Sequence, residues 1–188
     1  MSTTTIERGR FAHFLSAQDD GTFERALGEI RRGAKTTHWM WFIFPQIAGL
    51  GSSANARKFA LASAAEAAQF AAHDELGPRL FEATEALLDW AGTLSAEDIL
   101  GPVDTVKLRS SMTLFEAACS AEDAQVFADV LDRFFDGERD PLTLANFNFR
   151  CRSVARVAWL TRRIFDRRHV GDAGGIGFRI THHAQHVA

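Results

Sequence analysis

The stretch His38-Trp39-Met40-Trp41-Phe42-Ile43-Phe44-Pro45-Gln46 constrains the fold of this chain more than any other. Read as a strand, both of its faces are apolar; read as a helix, it is apolar all round. Only a segment buried on nearly every side can carry such a pattern. It is also far shorter than the roughly 20 residues that span a bilayer. It therefore has to run through a protein core. Pro45 ends any regular element there, and Gly49-Leu50-Gly51-Ser52-Ser53 supplies a flexible turn out of it.

The rest of the chain must wall that segment in. Its 188 residues are 46% hydrophobic, enough for one domain with a substantial core. With 16 Phe, 4 Trp and no Tyr, most rings lack a polar handle and serve as packing. Helical spacing recurs in Phe11, Phe14 and Leu15, and then in Phe23, Ala26, Leu27 and Ile30, stopped by Gly33. Ser63-Ala64-Ala65-Glu66 has the pattern of a capping box, and Pro78 suits the first turn of a helix that runs through Leu80, Ala83, Leu87 and Leu88 to Gly92. Ser95 and Asp98 can cap a short turn, and Asp104 opens a segment through Leu108, Leu114 and Phe115. The clearest amphipathic helix spans 123–135, with Val126, Phe127, Val130, Leu131 and Phe134 inward, and Gly137 ends it. No βαβ alternation and no internal repeat is visible. The predicted fold is mostly α: a compact, single-domain bundle of short helices over residues 8–144, with a basic C-terminal appendage over 145–188.

The net charge of −3 conceals that division. Residues 1–144 carry 22 acidic and 13 basic side chains, a charge of −9, whereas residues 145–188 carry two acidic and eight basic ones, +6. Nucleic acid is an unfavourable partner for the acidic body and stays open for the basic extension. In the extension Val154, Val157, Ala158, Thr161, Ile164 and Phe165 recur at helical spacing between arginines. A basic amphipathic helix over 151–167 could dock on the body, on an anionic membrane or on nucleic acid, the body being the simplest choice. His182, His183 and His186 read as incidental at a chain terminus. Cys119 and Cys151 make no disulfide framework, no run of about 18 apolar residues predicts a membrane span, and no signal-peptide h-region follows Met1. The expectation is a soluble cytoplasmic protein without cofactor or metal, its oligomeric state left open.

Several short motifs are distinctive together: Arg10-Phe11 with Ala17-Gln18, Ala26-Leu27-Gly28-Glu29-Ile30 with Gly33 and Lys35, and the tryptophan-rich nonapeptide with Gly49-Leu50-Gly51 and Ser53. Further on come Glu66-Ala67, His73, Leu76-Gly77 with Arg79-Leu80, and Asp104 with Lys107-Leu108-Arg109-Ser110-Ser111-Met112-Thr113-Leu114-Phe115. Phe134-Phe135-Asp136-Gly137, Asp140 and Thr143-Leu144 close the series. On these residues the chain resembles the bacterial family known as domain of unknown function 1810, over about residues 8–144. The resemblance implies a compact, mostly helical domain and assigns no activity. Phe59 and Asp74 stand where Tyr and Pro are usual in that family. The family sometimes carries the label calpastatin, a disordered inhibitor built of lysine- and proline-rich repeats. Three Lys, four Pro, no repeat and a large aromatic core exclude that reading here.

Three constellations could carry chemistry. Lys35, His38, Trp39, Trp41 and Gln46 bring together a cation, an imidazole, two indole faces and an amide, a set suited to a planar ring or a phosphate. His38 is the candidate proton carrier. Alternatively the tryptophans are core and the polar groups satisfy buried backbone. Gly51 and Ser53 could approach an anion, or simply cap a helix, which is the favoured reading; the Gly-Lys-Ser/Thr of a P-loop is missing. Lys107, Arg109, Ser110, Ser111 and Thr113 could line a phosphate or carboxylate pocket, or make a polar helix–helix contact with Asp104 as cap. Neither metal-ligand spacing nor a Gly-x-Ser-x-Gly elbow is present, Cys119 looks inert, and Glu29 and Glu66 read as solvated surface carboxylates. The leading expectation is a protein that binds an anionic small molecule, phosphorylated or nucleotide-like, with Lys35, His38, Trp41 and Gln46 facing Lys107, Arg109 and Ser110. A glycosidase-like hydrolase on NAD- or ribose-linked substrates is the enzyme class that fits best. The alternative is a noncatalytic structural or interaction domain in which both motifs only lock the core.

Overall fold

The computed structural model describes residues 9–150, with no strand and ten helices among them. They are α1 (Ala12–Gln18), α2 (Thr22–Arg31), α3 (Met40–Ile43), α4 (Ala54–Lys58), α5 (Ala64–Ala71), α6 (Leu76–Leu88), α7 (Ala96–Leu100), α8 (Pro102–Ala118), α9 (Ala124–Phe134) and α10 (Pro141–Arg150). The mostly helical fold expected from sequence is the one observed. The readings made on residues 151–188 lie outside the described residues.

α8 is the axis of the bundle, touching α3, α5, α7, α9 and α10. From Leu108 to Ala118 almost every residue is buried, hydroxyls and Glu116 included. A helix without a polar face is a central one. Its start is also explained locally. Gly101 is the N-cap with φ +78°, Pro102 takes the first helical position, and Asp104 lies within the first turn instead of capping it. The true capping box is at Ser95 and Asp98, where each side chain satisfies the other's backbone N–H. At α5 the expected box is only half formed. Ser63 accepts from the Glu66 N–H at 3.2 Å, while the Glu66 carboxylate takes the Ala62 N–H at 2.5 Å.

α9 buries Phe127, Val130 and Leu131 as its pattern requires, but Val126 and Phe134 are only half-buried on the flank. α6 crosses α5 closely: Gly77 is buried, and a Cβ there would collide with the Ala71 carbonyl. The His73 ring caps α6, its Nδ1 accepting the Glu75 and Leu76 N–H groups at 3.1 and 3.3 Å. Ring contacts run through the interior from Phe11 and Phe14 to Phe70, Phe115, Phe127 and Phe81. Each fully buried Phe is worth roughly 1.5–3 kcal/mol of transfer free energy.

The tryptophan-rich segment enters this interior as expected, though as a single helical turn, α3. Trp39, Met40, Ile43, Phe44 and Pro45 are buried, Trp41, Phe42 and Gln46 are half-buried, and His38 is exposed. The buried Gln18 amide donates to the Phe42 carbonyl at 2.7 Å, tying the end of α3 to α1. Beyond Pro45 the chain makes an isolated parallel bridge between Ile47 and Leu61, with Leu61 N–H on the Gln46 carbonyl at 2.9 Å.

Candidate functional site

Two clusters form where α2, the loop before α3, and the first turns of α8 converge. The first is centred on Glu29. Sequence reasoning reads this residue as a solvated surface carboxylate; it is 1% exposed. Its Oε1 accepts the Thr36 and Thr37 hydroxyls at 2.8 and 2.7 Å. Its Oε2 accepts their two backbone N–H groups at 2.8 and 3.0 Å and the Trp39 indole N–H at 2.8 Å. Burial pushes the pKa up, but the donors from Thr36, Trp39 and Thr37 outweigh it and hold the carboxyl at about 2. The signal for this was present: Glu29 lies three residues after Ala26 and one before Ile30, on the face that is otherwise core. A carboxylate on an apolar face requires partners, and two threonines and a tryptophan follow within ten residues.

The second cluster is centred on Asp104. Lys35 Nζ lies 2.7 Å from its Oδ2 and Lys107 Nζ 2.6 Å from its Oδ1. The lysine side chains are 9% and 20% exposed, and the Asp104 side chain is comparably shielded. Each ammonium also faces an indole: Lys35 over Trp39 at 5.1 Å and Lys107 over Trp41 at 4.4 Å from the ring centroids. Lys35 is placed there by its own backbone, whose N–H donates to the Ile99 carbonyl at 2.8 Å. Burial raises the pKa of Asp104, and the hydrogen bonds and charges of Lys107 and Lys35 more than reverse it. Two cations on one carboxylate leave a single positive charge in a half-buried setting beside Trp41.

The remaining residues singled out from the sequence divide between other places. Ser110 and Thr113 look to the opposite end of α8. Ser110 Oγ donates to Asp140 at 2.9 Å, and Thr113 Oγ1 accepts the Asp140 N–H at 2.9 Å while donating to the Arg109 carbonyl. Asp140 Oδ2 also accepts the N–H and hydroxyl of Thr143, so it caps α10 and pins it to α8. Nearby, Arg139 forms a two-pronged pair with Glu116 at 2.8 and 2.5 Å. Arg109 pairs with the exposed Glu138 at 3.4 Å. Ser111 is 0% exposed, and its hydroxyl is the one buried side-chain polar atom without a partner among the described residues. Ser53 caps α4 through the Ala56 N–H at 3.1 Å, and a Cβ on Gly51 would meet the Ala56 methyl, which explains the glycine. Gln46 contributes its carbonyl to the Leu61 bridge. Structure thus brings Lys35, Trp39, Trp41 and Lys107 together around Asp104, and sends Arg109, Ser110, Thr113, Gly51 and Ser53 elsewhere.

Cys119 lies at the end of α8, where burial, reinforced by Asp123, pushes its thiol up to about 12, far from a reactive thiolate. Among the described residues no three His, Cys, Asp or Glu side chains are grouped to hold a metal. No described helix is long and apolar enough to cross a membrane.

Comparison with known proteins gives the family. The family model described as "Protein of unknown function (DUF1810)" matches residues 9–147. The crystal structure of the conserved hypothetical protein Rv1873 from Mycobacterium tuberculosis is similar at 40% sequence identity and a TM-score of 0.69, covering 73% of this chain and 95% of that one. No curated protein matches the chain.

Proposed function

The chain belongs to the DUF1810 family, and from that premise we propose that it is a small-molecule-binding protein whose ligand is anionic, phosphorylated or nucleotide-like, held at the Lys35–Asp104–Lys107 cluster against Trp41. The observation that carries this reading is the surplus of one positive charge at a half-buried site that also presents an indole. An anion would neutralise that charge, and a planar group would find the ring beside it. The reading is of binding; Glu29 and Asp104 each have both carboxylate oxygens engaged by protein donors, and His38, the candidate proton carrier, is exposed.

A thermal-shift screen of the full chain against nucleotides and phosphosugars tests it. A ligand-dependent rise in Tm that Lys107→Met abolishes and Arg109→Met leaves intact is the expected result. No rise with any member of the panel overturns it. A second reading, a noncatalytic scaffold, is favoured by the closure of Trp39 Nε1, Ser110 and Thr113 on protein partners. On that reading the lysine variants change Tm without ligand and alter no ligand response.

A further inference from the structure

Helix starts in this chain are capped in one repeated geometry. Ser53, Ser63, Ser95 and Ser120 each accept the N–H three residues on with the side chain and the N–H four residues on with the carbonyl. They stand ahead of α4, α5, α7 and α9, and Asp140 stands in the same way ahead of α10. His73 takes this place ahead of α6. Its Nδ1 accepts the Glu75 and Leu76 N–H groups at 3.1 and 3.3 Å, and its carbonyl accepts the Gly77 N–H at 2.9 Å. The half-buried ring stands edge-on to Phe11, which is 1% exposed, with 5.9 Å between centroids. Among these capping side chains, imidazole is the one whose charge changes near neutral pH.

Nδ1 can accept only in the neutral ring that carries its proton on Nε2. A proton on Nδ1 turns the acceptor into a donor pointed at two N–H groups, and places positive charge at the positive end of the helix. Asp74 and Glu75 of the same turn favour the imidazolium, but both are exposed and act through water. Arg10, next to Phe11, opposes it and is itself engaged by Gln69 of α5 at 2.7 Å. The two N–H groups in direct contact with the ring therefore outweigh the charges around it. The cap also sits where two helices are pressed together, since a Cβ on Gly77 would meet the Ala71 carbonyl at the end of α5. From there α6 goes on to pack against α2, α3 and α9.

We propose that His73 is a pH-sensitive cap: as acidity rises through the imidazole range, proton uptake at Nδ1 withdraws the cap and frees the first turn of α6 from the end of α5. The opened turn binds one more proton than the closed one. Its closure is therefore favoured at the alkaline end of that range and lost toward the acidic end.

Nitrogen NMR of the isotopically labelled full chain tests this without a variant. At about pH 8 the His73 ring should be the Nε2–H tautomer. On acidification to about pH 5.5, the opening equilibrium read from Glu75 and Leu76 amide exchange should rise about threefold to thirtyfold, the range of a lost cap. An Nδ1–H tautomer at the higher pH, or protection unchanged between the two, overturns the proposal. His73→Asn supplies a second arm, because an amide oxygen can cap a helix and does not titrate. Over the same pH interval the Tm of wild type should drop about 2–6 °C more than that of the variant. Equal pH dependence in the two folded proteins overturns the proposal as well. If the variant does not fold, the tautomer and the amide exchange of wild type decide the matter alone.

Discussion

Two clusters flanking the tryptophan-rich segment solve the same problem in opposite ways. Glu29 and Asp104 are both shielded carboxylates; Glu29 takes the Trp39 indole N–H, and the two lysines on Asp104 face Trp39 and Trp41. Glu29 is surrounded by five neutral donors, two hydroxyls, two backbone amides and an indole, and no cation is among them. Asp104 is held by two cations. The first arrangement is closed: the carboxylate's negative charge has no cation beside it but is spread over five hydrogen bonds, all from the protein itself. The second has a charge in excess and an aromatic face half-open beside it. A closed polar knot fixes a loop in place, whereas a cluster with surplus charge has something left with which to bind. Stability effects should therefore concentrate at Glu29, and ligand effects at Asp104 and its lysines.

The largest expected effect follows from breaking the closed side. Glu29→Ala leaves the buried Trp39 indole N–H and two partly buried backbone amides without their acceptor, and should lower unfolding free energy by about 2–4 kcal/mol in urea titrations. A loss under about 1 kcal/mol would mean that the knot is not closed in solution. Acid provides the next test. The Glu29 carboxyl is lowered from 4.5 to about 2 on folding, so its contribution is complete above the unfolded value and disappears as pH falls through the folded one. Glu29 should contribute about 3 kcal/mol of the stability that wild type loses between pH 5 and pH 2. Glu29→Gln should flatten that limb, and an equally steep acid limb in the variant would assign it to other carboxylates.

Two adjacent serines give a smaller and sharper contrast. Ser110→Ala removes a buried partner of Asp140 and should cost about 1–2 kcal/mol, whereas Ser111→Ala deletes an unpaired hydroxyl and should be neutral or stabilising by up to about 1 kcal/mol. Equal losses at the two positions would show that Ser111 has a partner in solution. The smallest stability change belongs to Lys107→Met, about 0–1 kcal/mol, because Asp104 retains Lys35 and the aliphatic stem still covers Trp41. Its ligand response is where it should differ from wild type.

The helices themselves were largely legible. Phe23, Ala26, Leu27 and Ile30 repeat at the period of one buried face, and Ser95 with Asp98 signals its cap within four residues. The interior course of residues 39–45 followed from the lack of any polar face. Local signals misled where two partners compete for one group. Glu66 reaches the Ala62 amide instead of completing the box at Ser63, and Asp104 leaves the cap of α8 to Gly101 because two lysines claim its carboxylate. Glu29 was misread because an acidic side chain is ordinarily a surface one, and only its position on an apolar face argued otherwise.

By itself, then, and apart from the helices at 54–58 and 141–150, the sequence determined most of the longer helices, the faces they bury and that the tryptophan-rich stretch lies inside. All of these depend on spacing over one or two turns. Only the tertiary structure decided which polar group meets which. Lys35 and Asp104 are brought together from distant parts of the chain, as are Ser110 and Asp140, and nothing in either neighbourhood names the partner. Periodicity encodes burial because water is excluded from a whole face at once. A hydrogen bond or ion pair depends on one atom meeting another within about 3 Å, and that is fixed only when the helices have packed.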